Sequence, residues 1–172
     1  MAMRDRFQKT VLEFLEGSEN FRHTLVKPFG YAGDFQLLKM LADNACTSQG
    51  LTYHFDQSQL EYPASEACRR RIEWISEELS DRMKRRKAQS LSILDLGTGA
   101  APIEQRLLRQ HPEIPLRIHA VDLEPAALEY VHHVLAGGNR IIHPWRLNLR
   151  DPAAMAKVGE LVAQADVGIA IW

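Results

Sequence analysis

The stretch that most constrains this chain is LSILDLGTGAAP, residues 91–102. Leu91, Ile93, Leu94 and Leu96 form a short apolar run that reads as a buried strand, with Asp95 inside it. Gly97, Thr98, Gly99, Ala100 and Ala101 then make a turn of small residues, and Pro102 opens a helical pattern. Proline suits the first turn of a helix, where its missing N–H has no partner to lose. Glycines let the backbone bend sharply and approach a ligand, and a helix N-terminus presents unpaired N–H groups. Strand, turn and helix together predict a nucleotide cradle in an α/β fold.

Two cofactor classes use such a cradle. A dinucleotide turn follows G-x-G-x-x-G/A, and its third small position here would be Pro102. A second pattern, acid-x-G-x-G-x-G, fits Asp95, Gly97 and Gly99, with Ala101 in the last place. On those residues the stretch resembles the first motif of class I S-adenosylmethionine-dependent methyltransferases. The resemblance implies that Asp95, Gly97, Thr98, Gly99 and Ala101 face the methionine and ribose part of S-adenosyl-L-methionine, with S-adenosyl-L-homocysteine as the product.

At 172 residues the chain is expected to form one domain, or one domain with a helical extension. Its 45% hydrophobic content supports a real core, and a net charge of −1 gives no overall attraction to nucleic acid or anionic membrane. No apolar run reaches the roughly 18 residues of a spanning helix. The opening MAMRDRFQKT lacks the apolar stretch of a secretory signal. Cys46 and Cys68 lie in unrelated contexts and read as free thiols, so a cytoplasmic location is expected.

Residues 1–88 read as a helical cap. A helix is expected over residues 3–16, packing through Phe7, Val11, Leu12, Phe14 and Leu15, with Gly17 and Ser18 ending it. Lys27 to Gly33 is a loop of small and aromatic residues, Asp34 is placed as a helix N-cap, and Phe35 begins the helix body. Two glycines flank Tyr31, which suggests a ligand lid as an alternative to a plain loop. Lys27-Pro28 and Gly30-Tyr31-Ala32-Gly33-Asp34 resemble a segment upstream of the core in one bacterial methyltransferase subfamily. That subfamily is associated with making an extracellular factor, the methyl ester of 3-hydroxypalmitic acid. Its members commonly carry Arg where this chain has Phe29. The resemblance makes Tyr31 and Asp34 substrate or lid candidates.

Residues 46–64 read as a polar connection with short helical pieces. A long helix is expected from Ser65 to about Lys87, with Ile72, Ile75, Leu79 and Met83 on one face. Its basic clusters, Arg69 to Arg71 and Lys84 to Lys87, are interleaved with Glu73, Glu77, Glu78 and Asp81. Interleaving favours a solvated face over a nucleic-acid surface.

After the glycine turn, Ile103, Leu107 and Leu108 continue a helix that His111-Pro112 ends. Leu116 to Val121 is the second strand, and Asp122 stands at its carboxyl end, where open α/β sheets bind ligands. Asp122 reads either as a ribose ligand or as the cap of the helix beginning near Pro125. The resemblance implies the ribose role, with Leu123 against the adenine and Glu124 in the same neighbourhood. A third strand is expected over residues 140–149. The resemblance puts an acceptor for the adenine amino group near its end, at Asn148, with Asp151 close by. Asp151 also reads as the cap of a helix over residues 152–163. His132, His133 and His143 show no metal spacing and read as structural, so no metal is expected.

Residues 166–172 read as a fourth strand beside the first. The resemblance implies a strand order of 3-2-1-4, the first half of a seven-stranded methyltransferase sheet. An apolar strand 4 would then be an edge, covered by further chain, by a partner or by self-association. The expected architecture is therefore a helical region, residues 1–88, before a partial Rossmann-like methyltransferase core, residues 89–172. The expected activity is methyl transfer to a small-molecule acceptor. The subfamily likeness points to the carboxylate of a hydroxy fatty acid, held under the helical cap. No residue stands out as catalytic. The sulfonium methyl is already activated, and aligning two reactants supplies roughly 7–11 kcal/mol of a barrier. The rivals are an RNA or protein methyltransferase, a binding module without catalysis, and a nucleotide-dependent oxidoreductase, which Pro102 disfavours.

Overall fold

A computed structural model describes residues 3–31 and 33–170. The helices of the first half are α1 (Met3–Glu16), α2 (Glu19–Val26), α3 (Phe35–Asp43), α4 (Gly50–Leu60) and α5 (Pro63–Arg86). Then β1 (Leu91–Leu96), α6 (Pro102–Gln110), β2 (Leu116–Asp122), α7 (Pro125–Leu135), β3 (Arg140–Arg146), α8 (Pro152–Val162) and β4 (Val167–Ala170) alternate. The chain divides into two compact units, residues 1–71 and 72–172. The division falls inside α5, ahead of the boundary expected at residue 88. The stripe Ile72, Ser76, Leu79 and Met83 is buried in the second unit. Helical periodicity marks such a stripe but not what it packs against.

In the helical unit, α1 forms over the expected residues 3–16 but buries less of its apolar face than expected. None of its residues is buried, and Phe7 is 69% exposed. Val11, Phe14 and Leu15 are half-buried, and Phe14 meets Phe55 edge-on at 6.2 Å. Helix α2 is not foreseen, because Gly17-Ser18 reads as a stop. Ser18 is in fact the cap that starts α2, its side chain accepting from Phe21 N–H. Asp34 caps α3 as expected, accepting from the N–H groups of Gln36 and Leu37. Helix α4 replaces the irregular connection expected over residues 46–64. It buries only Asp56 and Leu60, so its inward face carries no apolar period. Asp56 accepts from the hydroxyls of Ser18 and Ser48 and, at 2.9 Å, from Glu19 N–H. A buried carboxylate with three donors thus joins α2, α4 and the loop before α4.

In the second unit the four strands are all parallel, in the order β3-β2-β1-β4. This is an α/β sheet consistent with a Rossmann-like fold. Consecutive connections step from β1 to β3, then the chain returns past β1. Right-handed crossovers therefore place α8 on the face opposite α6 and α7. Val158 and Leu161 of α8 accordingly pack with Leu94 and Val121, while Asp95, on the other face of β1, meets Glu104 of α6. The connections reverse direction between β1 and β4, and ligands of such sheets bind at the strand carboxyl ends beside that switch. Among the described residues strand β4 pairs with β1 alone and is an edge over Val167–Ala170. Ile171 and Trp172, the rest of the expected fourth strand, lie outside the described residues, as does Ala32 of the Tyr31 loop. Strand β3 ends at Arg146, short of the expected 149, and residues 147–149 continue as loop.

Among the described residues no helix is long and apolar enough to cross a membrane, and no group of three or more His, Cys, Asp or Glu side chains is placed to hold a metal. His119 and His143 are register partners on β2 and β3, with rings stacked at 5.0 Å. Both cysteines are free thiols, half-buried.

Candidate functional site

The turn between β1 and α6 is built from left-handed backbone. Gly97, Gly99 and Ala101 have φ of 74°, 54° and 51°. Glycine takes that conformation without cost, whereas an L-residue loses roughly 1–2 kcal/mol there. Ala101 is fully buried and stands as the N-cap of α6, with Pro102 as the first helical residue. The turn is anchored to β2, since Val121 C=O accepts from the N–H groups of Gly97 at 2.8 Å and Thr98 at 3.0 Å. Thr98 is buried, and its hydroxyl donates to Asp95 C=O at 3.0 Å, so it braces the turn from beneath.

Asp122 closes the turn from the neighbouring strand. Its Oδ2 accepts from Gly99 N–H and its Oδ1 from Glu124 N–H, each at 2.9 Å. The helix cap in the next turn is Glu124, not Asp122. A carboxylate has about four lone-pair directions. Two remain on Asp122, one per oxygen, for a vicinal diol.

Three acids converge on this turn. Asp95 is buried in β1, and Glu104 is almost wholly buried in the first turn of α6. Burial, then the neighbouring charge and hydrogen bond of Glu104, then the charge of Asp122, hold the Asp95 carboxyl well above the usual range. Burial pushes Glu104 up to about 7. Neither Glu104 oxygen has a hydrogen-bond partner of good geometry, and burial beside Asp95 favours a proton held on the pair. Such a cluster repels an anion. It favours a ligand that brings a positive charge.

The other expected contacts fall as follows. Leu123 is 56% exposed beside Asp122, an apolar surface next to that carboxylate. Asn148 is exposed, and its Oδ1 accepts from Arg150 N–H in a local turn, which leaves its carbonyl one lone pair. Asp151 caps α8 through Ala153 N–H. Tyr31 is half-exposed in the first unit, whereas Asp34 is fully buried and engaged by His23. Sequence reasoning passed over Glu104. The signal was present, because Glu104, Leu107 and Leu108 share the spacing of one helix face.

Comparison of the chain with protein-family models, with curated proteins and with solved structures gives no match.

Proposed function

We propose that the second unit binds S-adenosyl-L-methionine at the turn after β1, and that the chain serves methyl transfer to a small-molecule acceptor as a class I methyltransferase. The observation that carries this reading is the convergence of Asp95, Glu104 and Asp122 on a left-handed turn. A dinucleotide would bring a pyrophosphate into that acid cluster. S-adenosyl-L-methionine brings an ammonium and a sulfonium, and its ribose diol matches the two free lone pairs of Asp122. In this reading the N–H groups of the turn fix the backbone against the ligand, and Leu123 packs on the adenine.

When bound, the cofactor supplies a methyl group on a positively charged sulfur. The residues that would hold it are Asp122, at the ribose diol, and Leu123, against the adenine, and the chemistry it would supply is transfer of that methyl to an acceptor oxygen, with S-adenosyl-L-homocysteine as the leaving group. A carboxylate acceptor needs no proton removed, and the likeness of the Gly30–Asp34 segment points to a hydroxy fatty acid giving a methyl ester. The setting we propose is cytoplasmic. Charge pairing along α5 and beside it, including Arg70 with Glu66, Arg82 with Glu78 and Arg106 with Glu73, supports a small acceptor over nucleic acid.

Calorimetric titration with S-adenosyl-L-homocysteine, beside Asp122→Ala and Gly99→Val, tests the reading. Micromolar binding lost in both variants is expected, with no heat from NAD. A folded, monodisperse chain that ignores S-adenosyl-L-homocysteine would overturn it.

A further inference from the structure

The helical unit holds a polar arrangement that the glycine turn does not explain. Asp34 ends the Gly30–Asp34 segment and is fully buried. Both of its oxygens lie 2.7 Å from His23 Nε2, on α2. Oδ1 also accepts from Gln36 N–H at 3.0 Å and Leu37 N–H at 3.1 Å. The carboxylate is therefore held from two sides, and it fixes the imidazole in turn. Nε2–H donates to Asp34, which selects the tautomer that carries its lone pair on Nδ1. That nitrogen has no hydrogen-bond partner among the described residues.

His23 lines an open cavity of about 310 Å³ with Glu19, Arg22, Val26 and Pro28. This volume is at the lower end for small-molecule sites. Glu19 is already occupied, accepting from the N–H and hydroxyl of Thr47. Arg22 is exposed and forms no ion pair with a described residue. The cavity thus offers a committed acid, an uncommitted guanidinium, an oriented imidazole and two apolar walls.

We propose that this cavity is a second ligand site, for a small organic anion that carries a hydroxyl. The anionic group rests on Arg22, the hydroxyl donates to His23 Nδ1, and the carbon body lies on Val26 and Pro28. Asp34 acts through His23 as a positioning residue. The proposal gives the Gly30–Asp34 segment a task, delivering a carboxylate to orient the imidazole. It does not depend on what the turn after β1 binds.

Bromoacetate is the probe, used on the whole chain. Its carboxylate is drawn to Arg22, and the Nδ1 lone pair forms the N–C bond as bromide leaves. Asp34 then faces the resulting imidazolium. Peptide mapping by mass spectrometry should find His23 carboxymethylated about tenfold or more faster than exposed His132 and His133. Arg22→Ala should slow the reaction with bromoacetate and leave neutral bromoacetamide unaffected. Asp34→Asn should slow both reagents while the helix cap survives, since Asn caps as well as Asp. A His23 no faster than His132, or an Arg22→Ala variant that treats both reagents alike, would overturn the proposal. If Asp34→Asn alters the circular dichroism spectrum, the wild-type and Arg22→Ala comparisons still decide. A dyad that only ties α2 to α3 would show no preference between the charged and the neutral reagent.

Discussion

Asp122, at the end of β2, accepts a hydrogen bond from the backbone N–H of Gly99, in the turn after β1, at 2.9 Å. One carboxylate thus fixes the glycine turn and keeps a free lone pair on each oxygen. Replacing it tests two functions at once. Asp122→Asn should weaken S-adenosyl-L-homocysteine binding by tenfold or more, because the amide nitrogen cannot accept from a diol. Its cost to stability should stay near 1–2 kcal/mol, the range of one charge-assisted hydrogen bond. Calorimetry and urea unfolding of the same variant separate the two effects.

The positive φ angles of the turn predict an asymmetry between neighbours. Gly99→Ala forces an L-residue to φ 54° and should cost about 1–2 kcal/mol. Ala101→Gly relieves strain of the same kind at φ 51°. It also loses a buried methyl and frees the unfolded chain, so its net change should be under about 1 kcal/mol. Equal losses in urea unfolding would contradict the assigned backbone.

The Asp95–Glu104 pair predicts a pH dependence of definite sign. Glu104 rises from 4.5 to about 7 on folding, so in that window the folded chain keeps a proton that the unfolded chain releases. Stability from this group is complete below pH 4.5 and is lost as pH rises through 7. Asp95, raised as well, acts in the same direction. Glu104→Gln removes the titration. Its melting temperature relative to the natural chain should climb between pH 4.5 and 7 and stay higher above pH 7. A flat difference across that range would show that the pair does not share a proton.

Asp56 predicts a local unfolding event. Asp56→Ala strands the hydroxyls of Ser18 and Ser48, while Glu19 N–H keeps Ser48 Oγ as an acceptor at 2.8 Å. At about 1–3 kcal/mol per unsatisfied buried group, the loss should exceed the cost of an ordinary surface change severalfold. Hydrogen exchange should accelerate across α2 and α4 while β1 and β2 keep their protection. Uniform acceleration would mean that the two units open together.

The second unit was largely legible in the sequence. Apolar runs of four to seven residues, small-residue turns and prolines at helix starts are local signals. Leu91–Leu96, Pro102 and Pro125 each announced an element that the structure contains. The Asp34 and Asp151 caps were legible for the same reason, because a cap is a contact between near neighbours in the chain. The helical unit was legible only in part, in the bounds of α1 and the Asp34 cap. Helix α4 turns inward through Asp56, and α1 leaves Phe7 in solvent, so apolar periodicity misjudged both.

What the sequence determined by itself was the alternation of strands and helices and the backbone of the glycine turn, since chain chemistry within a few residues dictates both. Tertiary structure alone decided which side chains meet. Glu104 meets Asp95 because α6 folds back over β1. Asp122 reaches Gly99 because β2 lies beside β1 in parallel register. His23 meets Asp34 because α2 and α3 pack together. Each of these pairs joins one polar group to another across a tertiary contact, and for Asp95 and Glu104 burial also raises both carboxyls. A local pattern can mark a buried face, as it does for Glu104 beside Leu107 and Leu108, but not the partner which that face meets.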